Sequence, residues 1–100
     1  MTKKEMNNLI QNNILICIKA EQSTKAPQDY YNFEACEYAL RHLQNYLCDY
    51  GARSFKEYLT HFNALQYLRE TYTPKMFLFT KTQENSTRVV FDTLKKFIFE

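Results

Sequence analysis

Apolar side chains in this chain recur at helical intervals. Behind Thr2-Lys3-Lys4-Glu5, which has the form of a capping box, Met6, Leu9, Ile10, Ile14, Cys17 and Ile18 return every three or four residues. That spacing predicts a first helix. Leu15 and Ile16 interrupt the amphipathic pattern, and the run from Ile14 to Ile18 carries β-branched residues that also suit a buried strand. Helix is the preferred assignment. Residues 22–29, with Ser23, Thr24, Pro27 and Asp29, read as a loop.

The next segment has the most regular pattern. Phe33, Cys36, Leu40, Leu43, Leu47 and Tyr50 alternate at intervals of three and four, an apolar seam that Asp29 or Asn32 can cap and Gly51 can stop. Such a seam is expected to be the inner face of a bundle, with a dimer interface as the lesser alternative. A second capping box, Ser54-Phe55-Lys56-Glu57, opens a third segment in which Phe55, Tyr58, Phe62, Leu65 and Tyr72 share a face flanked by Leu59. Thr73-Pro74 ends it. Two helices joined by about three residues at Gly51 are expected to fold back as an antiparallel hairpin. Beyond residue 74 the pattern is mixed. A short piece near 75–82 and a helix from about 88 to the end, carrying Val90, Phe91, Leu94, Phe97 and Ile98, are expected. The alternative is a short C-terminal β-hairpin pairing Met76–Phe79 with Thr87–Phe91.

Composition supports the helical assignment. One Gly and two Pro in 100 residues are too few for the tight turns of an all-β domain. The expected fold is therefore mostly all-α: one domain over residues 1–100, a small bundle of three to four helices around the central hairpin.

Charge and cysteine content narrow the function classes. A formal net charge of +2 does not announce a nucleic-acid partner, and no long run of like charges occurs. Cys17, Cys36 and Cys48 lack the spacing of a zinc site or a disulfide framework; they are expected to be buried or half-buried thiols in a reducing, cytoplasmic setting. The apolar run 14–18 is too short for a signal peptide or a membrane span, so neither a secretory leader nor a membrane partner is expected. Asn85-Ser86-Thr87 fits the glycosylation pattern only by chance in that setting.

No catalytic constellation emerges. A single glycine cannot build a phosphate-cradling loop, and there is no Gly-x-Ser-x-Gly elbow. His42 and His61 with Cys36 and Cys48 show no metal-ligand spacing. No enzyme activity, cofactor or metal is expected. A helix-turn-helix fits poorly, because Leu47 stands where the turn wants a small residue and Lys56 where an apolar one should pack.

The distinctive feature is tyrosine: eight Tyr and eight Phe with no Trp. With the seam facing inward, Tyr31 and Tyr38 point about 150–170° away on an ideal helix, flanked by Arg41 and His42, and Tyr67 points outward from the third segment. Tyr and Arg are the residue types that concentrate at protein interfaces. Tyr31, Tyr38, Arg41, His42 and Tyr67 are thus the expected partner-binding residues, the partner being another protein or a second copy of this chain. The abundance of Asn, Lys, Tyr and Phe with few Gly, Pro and Ala suggests AT-rich coding, and small chains of that kind are often encoded by phages or plasmids, many of them binding a host protein. The expected function is a non-enzymatic interaction module, an inhibitor or modulator that occludes a host protein. The alternative is a small nucleic-acid-binding regulator using the terminal cations Lys3, Lys4, Arg88, Lys95 and Lys96.

Overall fold

In the computed structural model of the chain, residues 1–61 and 81–99 are described, with side chains for 1–59 and 88–99. Three helical runs account for nearly all of them: α1 (Lys3–Ser23), α2 (Pro27–His61) and α3 (Lys81–Phe99). No strand occurs among the described residues. The radius of gyration, 13.2 Å, is that of a compact chain of this length.

The start of α1 is set by its first residues. Thr2 has extended dihedrals, its Oγ1 accepts from the Glu5 amide at 3.2 Å, and Glu5 Oε1 accepts from the Thr2 amide at 3.2 Å. Two amide donors that a helix N-terminus leaves open are thereby satisfied. Met6, Ile10, Ile14 and Cys17 form the buried stripe, with Leu9 and Ile18 packed at its edges. The strand alternative over 14–18 is overturned: the segment is helical, and Leu15 and Ile16, the residues that disturbed the pattern, face out at 45% and 63% exposure.

The expected loop 22–29 shrinks to residues 24–26. α1 continues to Ser23, where Thr24 turns extended while its amide still donates to Ala20 O at 3.0 Å. α2 starts at Pro27, where a fixed φ and a missing amide suit the first helical position, and Tyr30 N donates back to Ala26 O at 3.1 Å. Asp29 and Asn32 are therefore not the caps. Asp29 sits in the first turn, where a carboxylate offsets the helix dipole, and Asn32 is buried.

α1 and α2 run antiparallel. Lys3 Nζ donates to Cys48 O at 3.1 Å at one end, and Gln44 Nε2 donates to Gln11 Oε1 at 2.8 Å midway. The centre of the seam, Cys36, Leu40, Leu43 and Leu47, is buried as expected, joined by Ala35 and Ala39 in an adjacent row. Its ends are not. Phe33 is 36% exposed and Tyr50 65% exposed. The Lys3 contact shows why at one end: α1 begins opposite Cys48, so Tyr50 overhangs it and lies on Tyr46 instead, ring centres 4.6 Å apart. At the other end, Phe33 borders a gap between the three helices.

Gly51 interrupts α2 at φ 86°, ψ 174°, the break its position predicts. The connection is this one residue rather than about three. Helix resumes at Ala52, so the Ser54-Phe55-Lys56-Glu57 box lies inside a helix that has already restarted. Tyr46 stacks on Tyr58 across the break at 4.3 Å, and Phe55 and Leu59 complete the core from the second arm. Phe62, Leu65, Tyr72 and the expected piece at 75–82, up to residue 80, fall outside the described residues.

α3 begins at Lys81, well before the expected start near 88, and packs chiefly on α2. Residues 87–91 are helical, which removes one partner of the C-terminal hairpin. Phe91, Leu94 and Ile98 enter the core while Phe97 is 54% exposed, because it lies about 100° around the helix from Ile98.

Candidate interaction surface

The outward face of α2 carries the tyrosines. Tyr31 and Tyr38 are 54% and 39% exposed, as their angular distance from the seam requires. Tyr30 joins them: its ring meets Tyr31 edge-on, centroids 5.7 Å apart and planes at 80°. Sequence periodicity alone did not single it out, since it precedes the first seam residue and points between the seam and the outer stripe. The Glu34 carboxylate, accepting a hydrogen bond from the Tyr30 hydroxyl and adding its negative charge, pushes that phenol up from its ordinary pKa.

Arg41 is exposed at the end of this stripe, and its Nε donates to Glu37 Oε2 at 2.8 Å. That pairing orients the guanidinium without burying it. His42 flanks the stripe on its other side. It is half-buried, and loss of solvent pushes its pKa down, so it is a boundary residue more than part of the open face. Tyr67 lies outside the described residues.

Behind Arg41 the α1–α2 interface holds an arrangement that the sequence did not disclose. Glu21, in the last turn of α1, faces Glu37 of α2. Glu21 Oε1 is closed to solvent with no donor bonded to it. Two facing carboxylates repel, and a proton on Glu21 that bonds to Glu37 relieves the conflict. Burial, the Glu37 hydrogen bond and the charges of Glu37 and Glu34 push Glu21 up to about 7, with Arg41 pulling the other way. These partners come from different helices, so no spacing rule within one helix reports them.

The terminal cations are spread over two helices. Lys3 and Lys4 are exposed at the start of α1, Arg88 and Lys96 are exposed on α3, and Lys95 is half-buried. Lys3 also serves the fold, because its ammonium satisfies the Cys48 carbonyl near the end of the first arm of α2. None of the three cysteines is in a disulfide; Cys17 and Cys36 are buried as expected, whereas Cys48 is exposed because it falls on the solvent side of Leu47. Burial, with Cys36, Glu21 and Glu37 adding negative charge, pushes the Cys17 thiol up to about 12. Among the described residues no three His, Cys, Asp or Glu side chains gather as a metal-binding group, and no helix is long and apolar enough to cross a membrane.

Compared with known families, characterised proteins and solved structures, the chain matches none of them.

Proposed function

We propose that this chain is a non-enzymatic protein-interaction module that occludes or modulates a protein partner through the outer face of α2. The observation that carries this reading is the group Tyr30, Tyr31 and Tyr38, each at least 39% exposed on one helix and absent from the core cluster. Tyrosine supplies a large rigid apolar surface with a polar tip and loses little entropy when immobilised. Arg41, held by Glu37, adds a cation at the rim of the same surface. An inhibitor of this kind needs no reactive group; covering the partner's working surface is sufficient.

The test is affinity capture from a nuclease-treated host lysate with wild type and with the Tyr31→Ala/Tyr38→Ala double variant. A protein retained by wild type and lost by the variant, at unchanged melting temperature, is the expected outcome. Equal retention by both removes this face from the reading. A melting temperature lowered by the substitutions would show instead that these rings support the fold, since truncating a buried aromatic costs about 3–5 kcal/mol.

A further inference from the structure

The three helices leave a groove where the middle of α1, the start of α2 and residues 89–90 of α3 meet. Its volume is about 390 Å³. Cys17 and Cys36 lie at its buried base, at 6% and 3% exposure, and Ile16, Phe33 and Val89 stand open around it at 63%, 36% and 65%. A cavity of about 150 Å³ admits a benzene ring. This groove therefore has room for about two fused rings, and its size falls within the range of about 300–1,000 Å³ typical of small-molecule sites.

Its polar groups are few and of definite kind. Asn32 lines the wall and is 8% exposed, the one buried polar residue among those described. Its Oδ1 accepts from Gln28 Nε2 at 3.2 Å, which leaves the amide nitrogen as a donor on the groove wall. Asn13 lines the opposite helix with the reverse polarity: its Nδ2 donates to Leu9 O at 2.8 Å, leaving Oδ1 as an acceptor. Asp29 contributes an exposed carboxylate, a second acceptor that disfavours an anion.

We propose that this groove binds a small, neutral, bicyclic aromatic molecule bearing a lactam-type edge, with its carbonyl accepting from Asn32 and its N–H donating to Asn13 or Asp29. The rings lie among Ile16, Phe33 and Val89. The site is separate from the tyrosine face in both chemistry and readout, so it stands whether or not a protein partner binds there.

2-Quinolone, a bicyclic lactam, is the probe, titrated into isotopically labelled full-length protein and followed by two-dimensional amide NMR. The expected result is saturable shifts, complete by about 1 mM, in the Asn13 and Asn32 side-chain amides and the Cys17 and Cys36 backbone amides. 2-Naphthoate, of similar size but anionic, should bind about fivefold or more weakly. Val89→Trp or Ile16→Trp, each placing an indole in the groove from an exposed position on a different helix, should abolish the shifts while the remaining spectrum stays dispersed. Absence of saturation at 5 mM (about five times the expected ceiling), shifts centred elsewhere, or binding that survives both Trp variants overturns the proposal. Equal binding of 2-naphthoate overturns the lactam-edge assignment.

Discussion

Replacing Gly51 with Ala isolates a single backbone property. Gly51 has φ 86° and ψ 174°, a combination that residues with a Cβ seldom adopt. A Cβ built there meets nothing within 4 Å, so crowding by neighbours contributes nothing to the cost. What remains is local strain, about 1–3 kcal/mol for a residue forced into this region. Alanine also restricts the unfolded chain and returns about 0.4–1 kcal/mol. The net expectation is a loss of about 1–2 kcal/mol. With an unfolding entropy of about 2.1 cal/mol/K per residue, a domain of this length drops about 5 °C in melting temperature per kcal/mol, so the expected fall is about 5–10 °C. Thermal melts by far-ultraviolet circular dichroism, paired with urea titrations, measure both quantities. Gly51→Asn provides a second arm. Asparagine tolerates left-handed helical dihedrals, but at ψ 174° it gains no such relief, and it should be as damaging as alanine. An unchanged melting temperature for Gly51→Ala would refute the assigned dihedrals. A loss above about 4 kcal/mol would refute the open space around the residue, since strain alone does not reach that size.

Two further outcomes follow from the buried charges and thiols. Glu21 titrates at about 7 in the folded chain against an ordinary value of 4.5, so its contribution to stability is fully present below about pH 4.5 and is lost as pH rises through about 7. Glu21→Gln, which keeps a permanent donor toward Glu37, should match wild type in urea midpoint near pH 5 and exceed it near pH 8.5; parallel pH profiles for the two proteins would sink the shared-proton account. For the thiols, Cys48 is exposed while Cys17 and Cys36 are buried, and Cys17 is held in its protonated form. Reaction with a disulfide dye at pH 8 should therefore show one fast thiol, removed by Cys48→Ser, with the other two released only in denaturant; three fast thiols would contradict this core.

Local periodicity made much of this fold legible. The Thr2–Glu5 capping box, the stripe from Met6 to Cys17, the seam centre from Cys36 to Leu47 and the stop at Gly51 each depend on residues within a few positions of one another. The helix period and terminal hydrogen bonding act over that same range. The outward placement of Tyr31 and Tyr38 follows from the same geometry, since burying one side of a helix exposes the other.

How far each helix extends along its neighbour was decided by tertiary structure. The seam pattern treats Phe33 and Tyr50 like Leu40. Yet α1 begins opposite Cys48, and the three helices diverge at Phe33, so both ends of the seam are left without a cover. The same divergence forms the groove that brings Asn13, Asn32 and Val89 together. The antiparallel alignment of α1 and α2 also sets Glu21 against Glu37. A helical pattern specifies which face of each segment is apolar, but the axial shift between two such faces is fixed only when their side chains interdigitate. The sequence by itself therefore determined the helices and their inner faces, while packing alone decided which residues at the ends of those faces meet solvent, a facing carboxylate or an open groove.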